Sequence, residues 1–190
     1  MSEDLAILIA EMDANVSHLQ SIATGLSREQ FNWRTGAGNW SIGECVGHLN
    51  IVNAGDLLPL RAAIESGRTR GLTAAGPFAY GFFSKKFIAS MDLPVKRRHK
   101  APKIYIPPSN AEPNESVAEY NRVSAELRKL AVSANGLDLA RVKTEMPALP
   151  AALRRMVKMP LGARLTVITV HDRRHLWQAE QVRNHANFPA

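Results

Sequence analysis

Two histidines, His171 and His175, stand four residues apart near the end of the chain. On an α-helix this spacing places both imidazoles on one face, about 6 Å apart along the axis. Two ring nitrogens so placed can bind one metal ion, since zinc–nitrogen bonds are roughly 2.0–2.1 Å long. The spacing alone is weak evidence for a metal site, because many such pairs are exposed and bind nothing.

His48 is the candidate for a third ligand. It lies beside Cys45, Leu49 and Val52 in an apolar segment that is typical of a helix. A single histidine on an apolar face is more often a hydrogen-bonded core residue, so that alternative stays open. Helix bundles do place ligands on facing helices. Three neutral imidazoles would leave coordination positions open, as a catalytic or substrate-binding metal site requires.

Four long amphipathic helices are predicted to position these histidines. Apolar residues recur every three or four positions over residues 3–24, 42–66, 114–135 and 162–185, which is typical of helices with one buried face. No segment shows convincing strand alternation; the β-branched run Leu165–Val170 continues without a breaker into a helical pattern. The predicted fold is therefore an all-α antiparallel four-helix bundle, formed by residues 1–190 as a single domain.

Capping and breaking residues predict where the helices begin and end. Ser-x-x-Glu/Gln capping boxes predict three helix starts, and glycines predict three helix ends. Pro59 is predicted to kink the second long helix or split it in two. The boxes are Ser27 with Gln30, which opens a short turn over residues 28–33, Ser41 with Glu44, and Ser116 with Glu119; the glycines are Gly25, Gly67 and Gly136.

A long connection, residues 68–113, joins the second and third long helices. It holds six prolines, and its aromatic part, Pro77–Met91, is predicted to form a short helix. A structureless connection of this length is unusual in a compact domain, so we expect it to pack over something, as lids and substrate-facing walls do. It also carries a basic run, made of Lys96, Arg97, Arg98, Lys100 and Lys103.

The charge balance favours anionic partners. With 24 basic and 17 acidic residues the chain has a formal charge of +7, which attracts nucleic acids, lipid headgroups or small acidic metabolites. Nucleic-acid binding is the least favoured of the functions considered, because no recognition motif or basic helix face is present and no aromatic residue alternates with the basic run. A solvated loop is the commoner explanation for such a run.

The remaining composition suggests a protein of the reducing cytoplasm. No stretch approaches the roughly 18 apolar residues of a membrane span, so we expect no membrane partner. The first residues include Glu3 and Asp4, where an export signal would carry basic residues. Cys45 is the single cysteine, so no internal disulfide can form.

Two motifs carry a resemblance to a known family. The segment Trp40–Leu49, WSIGECVGHL, resembles the W-[ST]-x-x-E-x-x-x-H-L signature of the DinB-like (YfiT/DinB) superfamily, and His171–Gln178, HDRRHLWQ, is similar to its closing H-D-x-x-H-x-x-Q motif. The order of the motifs and their placement on helices also agree. The resemblance therefore covers nearly the whole chain.

The resemblance implies an up-down-down-up bundle that binds one divalent metal, nickel, zinc or iron, through His48, His171 and His175. Members of known activity include thiol-dependent S-transferases and a mycothiol-dependent maleylpyruvate isomerase, and dimers are common among them. We therefore expect a homodimer that binds a small-molecule substrate, with a low-molecular-weight thiol as a possible cofactor. The expected function is a metal-dependent S-transferase or hydrolase-like enzyme. The alternative is a non-catalytic, metal-stabilised module for ligand binding or stress response.

Other residues of the two motifs have simpler interpretations, and no catalytic residue is assigned. We interpret Trp40 as a packing anchor, with a platform for substrate as the minor alternative. Glu44 is first of all a capping residue, and support of a metal ligand or an acid–base role is its minor alternative. Asp172 points about 100° around the helix from its ligand neighbour, so a supporting hydrogen bond is expected rather than ligation. Cys45 is interpreted as a small buried apolar residue. The other histidines are assigned to the surface, His18 and His185, and to the basic loop, His99.

Overall fold

A computed structural model describes residues 1–95, 100–154 and 156–190 of the chain. Its long helices are α1 (Glu3–Ala23), α3 (Ile42–Thr69), α5 (Pro113–Ser133) and α7 (Leu161–Arg183). Shorter helices are α2 (Arg28–Asn32), α4 (Phe82–Met91) and α6 (Ala151–Arg154), with a 3₁₀ turn at Lys103–Tyr105. Two short strands, β1 (Lys143–Glu145) and β2 (Lys158–Pro160), form an antiparallel pair. The all-α bundle fold is confirmed.

Hydrogen bonds and ion pairs between the long helices establish their directions. One hydrogen bond joins the first halves of α3 and α5 and another joins their last turns, so these two helices are parallel. Helices α1 and α7 are also parallel, because one contact joins the middles of these two helices and another joins their last turns. Helix α3 runs antiparallel to α7, because a residue near the start of α3 contacts the middle of α7, whereas the middle of α3 contacts the first turn of α7. The bundle is therefore up-down-down-up.

Two of the three predicted capping boxes are confirmed. At the start of α3, the Glu44 amide donates to Oγ of Ser41 over 3.1 Å while the Ser41 amide donates to the Glu44 carboxylate over 2.9 Å. The box of Ser27 with Gln30 opens α2. The box predicted at Ser116 and Glu119 is wrong, because α5 already begins at Pro113, which suits a first helical turn.

The split predicted at Pro59 and the helix end predicted at Gly67 are wrong, whereas the alternative of a kink at Pro59 stays a prediction. Helix α3 is one element that continues past Pro59 to Thr69. Gly67 lies inside the helix and does not end it. A Cβ atom at this position would lie 2.7 Å from Cγ2 of Val142. This glycine therefore lets the helix approach a neighbouring segment closely. Gly25 and Gly136 do adopt positive φ angles, +77° and +83°, just beyond α1 and α5.

The long connection packs on the bundle through α4, which lies along α7. Phe87 and Ile88 of α4 pack on an apolar cluster formed by Met159, Ala163 and Val167. The predicted short helix is confirmed over Phe82–Met91, and Leu165–Val170 is helical as expected. The two strands were not predicted, because three residues are too few to show alternation. Three of the five residues of the basic run, Lys96, Arg97 and Arg98, lie outside the described residues.

A polar layer divides the buried core of the bundle. One apolar cluster uses α7 up to Ile168, and the other uses it from Leu176 onward. Between these two positions on α7 stand His171, Asp172 and His175. Buried polar side chains are therefore concentrated at one level of the bundle, where they need partners. None of the helices described is long and apolar enough to cross a membrane.

Candidate metal centre

The bundle brings His48, His171 and His175 together at the polar layer. One potential ligand atom from each side chain lies within 4.8 Å of those of the other two. Nε2 of His48, on α3, is 3.4 Å from Nε2 of His171, on α7. The three histidines singled out in the sequence thus form one cluster, and its ring nitrogens converge as metal ligands must.

A backbone carbonyl orients His48. Nδ1 of His48 lies 2.8 Å from the carbonyl oxygen of Tyr105, which can only accept a hydrogen bond. Nδ1 therefore carries the ring hydrogen, and Nε2 presents its lone pair to the cluster. This arrangement, in which the second nitrogen of a histidine donates to an oxygen, is usual for metal ligands.

Burial keeps the three rings neutral. Desolvation lowers the pKa of His48, and the hydrogen bond to Tyr105 opposes it in part. Desolvation, then the neighbouring His175 and His48, hold the pKa of His171 well below its usual range. Desolvation, with smaller effects of His48 and Arg174, lowers the pKa of His175 to about 3. Neutral imidazole is the form that binds metal, so the rings are ready for coordination at neutral pH.

One ring atom of the cluster lacks a partner. Among the described residues, no hydrogen-bond partner of Nδ1 of His175 is found, although this atom is buried. The side chain of Gln178, one turn further along α7, has a hydrogen-bonding interaction with the same ring, which partly opposes the lowering of the pKa of His175. An unsatisfied buried nitrogen costs free energy, and a metal ligand bond would satisfy it. The residues present therefore fit a divalent metal ion.

Comparison with known proteins gives the family. A family model described as the DinB superfamily matches residues 11–179. This is most of the chain, and it includes all three histidines of the cluster. The chain belongs to the DinB superfamily. Neither a curated protein nor a solved structure matches it significantly.

Trp40 and Glu44, from the first DinB-like motif, support the cluster in different ways. The Trp40 ring stacks on His175 at 5.6 Å between centroids and lies 4.9 Å from the His48 ring. It is therefore an anchor, as predicted, and it packs directly on two of the three imidazoles. Glu44 caps α3 and also accepts a 2.8 Å hydrogen bond from Nε of Arg34, an ion-pair partner that the sequence did not indicate.

Asp172, from the second DinB-like motif, faces away from the histidine cluster. Its carboxylate accepts hydrogen bonds from the Asn53 amide over 3.0 Å and from the Tyr120 hydroxyl over 2.8 Å. Burial raises its pKa to about 7, against these two hydrogen bonds. As predicted, Asp172 does not join the histidines, but its hydrogen bonds go to Asn53 and Tyr120 and not to a candidate ligand. The residue instead ties α7 to α3 and α5.

The other candidates of the sequence stand apart from the cluster. Cys45 is buried, and desolvation raises the pKa of its thiol, so it is the inert apolar residue that was expected. His18 lies 3.3 Å from Glu180 and is partly exposed, and His185 is exposed. His99 falls outside the described residues.

Two supports of the DinB-superfamily site had no signal in the sequence. The Tyr105 carbonyl is a backbone atom on a connection 57 positions from His48, and no residue type identifies such a contact. The buried ion pair of Asp56 with Arg164, joined by hydrogen bonds of 2.6–2.9 Å, links the same two helices. Both residues fall on helix positions that apolar periodicity alone would assign to the core.

Proposed function

We propose that His48, His171 and His175 bind one divalent metal ion and that the site is the centre of a metal-dependent enzyme acting on a small molecule. The observation that carries this proposal is the convergence of three neutral imidazoles within 4.8 Å. Imidazole suits zinc, nickel and iron alike, so all three metals remain candidates. Among the residues that the structure describes, three side chains form this ligand set, which leaves coordination positions for a substrate.

The proposed reactions are transfer of a low-molecular-weight thiol and hydrolysis. A bound divalent ion supplies a nucleophile at neutral pH by lowering the pKa of a thiol or a water molecule. The chain's own contribution is orientation: the Tyr105 carbonyl holds the tautomer of His48, and Trp40 restrains two of the rings. Membership in the DinB superfamily supports metal binding, and the thiol is taken from the resemblance of the motifs.

Helix α4 is the proposed wall of the substrate site. Arg174 shares a helix face with His171 and donates a 3.0 Å hydrogen bond to the carbonyl of Ser90, at the end of α4. The adjacent Arg173 pairs with Asp92 at 2.7 Å. The helix that carries two candidate ligands is therefore fastened to the aromatic segment of the connection. An electrophilic substrate would lie beside this wall, at the open coordination positions of the metal.

Metal content of the purified protein tests the proposal. We expect about one metal ion per chain by plasma mass spectrometry, a stoichiometry that follows from one three-ligand site. His48→Ala, His171→Ala and His175→Ala should each lose it. His18→Ala and His185→Ala, outside the cluster, are the matched controls and should retain it. Absence of metal after reconstitution with nickel, zinc and iron would overturn the proposal.

Cobalt substitution separates catalysis from simple metal binding. Addition of a thiol to the cobalt-loaded protein should shift its visible absorption if the thiol enters the coordination sphere. Turnover in a thiol-conjugation assay should then depend on His48.

The homodimer expected from the resemblance stays a prediction. Size-exclusion chromatography followed by light scattering tests it.

A second candidate function is a non-catalytic, metal-stabilised module. The observation that favours it is that both motif carboxylates already have partners: Glu44 binds Arg34, and Asp172 binds Asn53 and Tyr120. Neither is positioned as a general base for the histidine cluster. A cobalt spectrum that thiols leave unchanged, together with loss of thermal stability on metal removal, would select this function.

A further inference from the structure

The net charge of the protein is concentrated in one segment. Residues 71–110 contain seven lysines and arginines and a single acidic residue, Asp92. They therefore account for +6 of the formal charge of +7, although they make up about a fifth of the chain. The four long helices and their remaining connections are nearly neutral together. Whatever the positive charge attracts should meet this connection first.

The same segment exposes large apolar side chains at the beginning of α4. Phe82 and Phe83 are 69% and 85% exposed, and their rings contact each other at 5.7 Å between centroids. Lys85 and Lys86 are exposed one turn later, and Nζ of Lys86 lies 5.9 Å from the Phe82 ring centroid. We call these four residues the α4 surface.

The inner side of α4 already accounts for its attachment to the bundle. Phe87 and Ile88 pack on the cluster below the helix, and Asp92, just after it, pairs with Arg173. Phe82 and Phe83 add little to this packing, since most of each ring faces solvent. Adjacent exposed phenylalanines beside lysines are typical of helices that lie in the interface of an anionic membrane.

We propose that the α4 surface docks on an anionic lipid bilayer, with Phe82 and Phe83 inserted among the acyl chains and Lys85 and Lys86 against the headgroups. The sequence-based expectation of no membrane partner depended on the lack of a spanning segment, which a peripheral contact does not need. Docking is independent of the proposed metal chemistry.

A bilayer explains the exposed residues of this connection better than a nucleic acid does. Its other large exposed apolar side chains, Ile104 and Ile106, are aliphatic. They can enter a lipid interface, whereas bases stack on aromatic rings or guanidinium planes. These isoleucines flank Tyr105, whose carbonyl holds His48. The connection that would touch the membrane is thus the one that supports the histidine cluster.

Vesicle co-sedimentation of the full chain tests the proposal. The probe is a vesicle of phosphatidylcholine with about a third phosphatidylglycerol, compared with pure phosphatidylcholine, since anionic headgroups supply the attraction to lysines. We expect binding to the anionic vesicle that weakens as salt is raised. Phe82→Ser/Phe83→Ser and Lys85→Gln/Lys86→Gln should each reduce the affinity by about tenfold or more.

Matched controls keep apolarity and charge constant elsewhere on the surface. Leu58→Ser/Val132→Ser removes two exposed apolar side chains from α3 and α5, and Arg61→Gln/Lys129→Gln removes two positive charges from the same helices. Both should bind vesicles as the unmodified protein does. All variants should keep its melting temperature, since the substituted side chains are exposed.

Two outcomes would overturn the proposal. The first is absence of binding to anionic vesicles; if the α4 variants alone then lost binding to a single-stranded oligonucleotide, or lost a dimer, the surface would belong to that partner instead. The second is equal vesicle binding by the α4 variants and the controls. Metal content is expected to be unchanged in the α4 variants, so failure of this proposal is distinguishable from failure of the metal site.

Discussion

Nε2 of His48 lies 3.4 Å from Nε2 of His171, although 123 positions separate the two residues in the chain. Because Nδ1 of His48 donates to the Tyr105 carbonyl, Nε2 of His48 presents a lone pair to its neighbour. A hydrogen bond between these two atoms therefore requires the hydrogen to be on Nε2 of His171. A metal ion bound by both nitrogens must displace that hydrogen, so the pair links metal binding to a change of tautomer at His171.

Trp40 should report metal binding through its fluorescence. Its ring lies 4.9 Å from His48 and 5.6 Å from His175, close enough for a paramagnetic ion at the cluster to quench it. We expect Ni²⁺ or Co²⁺ to quench the fluorescence of the native protein and of Trp33→Phe, and to quench Trp40→Phe less, although Trp177 remains in all three. Trp40→Ala should also weaken metal affinity by about tenfold, since supports of metal ligands contribute on that scale. Equal quenching in all variants would place the metal elsewhere.

Gly47 and Gly55, on the same helix, should respond oppositely to alanine. A Cβ atom at Gly47 would lie 2.8 Å from Cβ of Pro107, whereas one at Gly55 would meet nothing within 4 Å. Gly55→Ala should therefore stabilise the protein by about 0.5–1 kcal/mol through helix propensity. Gly47→Ala must push away the segment that carries the Tyr105 carbonyl, and so we expect weaker metal binding.

Urea unfolding and metal titration by calorimetry measure the two effects. Gly55→Ala is the control for helix propensity, and its metal affinity should equal that of the native protein. If Gly47→Ala bound metal as tightly as Gly55→Ala does, the hydrogen bond that His48 donates to the Tyr105 carbonyl would have no part in forming the site.

The sequence predicted the helices and the histidine cluster for physical reasons that did not extend to their supports. Apolar spacing and local capping are properties of neighbouring residues, so they located α1, α3, α5 and α7 to within a few residues. They failed where the cause is tertiary: Gly67 packs against Val142 instead of ending α3, and Pro113 opens α5 instead of the Ser116 box. The Tyr105 carbonyl belongs to the backbone, which carries no residue-type signal.

Breaking the buried ion pair of Asp56 with Arg164 should lower the free energy of unfolding far more than replacing both residues does. Both side chains are almost fully buried, and each depends on the other to offset its desolvation. Asp56→Leu or Arg164→Met alone should lower the free energy of unfolding by about 3–5 kcal/mol, because one buried charge loses its partner. The double variant should lose far less than the sum. Additive losses in urea unfolding would show that the two residues are not coupled.

The metal-free protein should lose stability on acidification through its buried histidines. The pKa of His175 is about 3 in the folded protein, against about 6.5 for an unfolded histidine. Between these values the unfolded chain binds the extra proton, so the free energy of unfolding falls as the pH drops through 6.5. From about pH 7 to about pH 5, this histidine alone accounts for a loss of about 2 kcal/mol. Urea unfolding in the presence of a chelator measures this loss. Between the same two pH values, the free energy of unfolding of His175→Ala should fall by about 2 kcal/mol less than that of the native protein. His185→Ala, from the exposed end of the chain, controls for removal of a histidine as such. A native protein and a His175→Ala variant with parallel pH profiles would mean that the His175 ring is already solvated in the folded state.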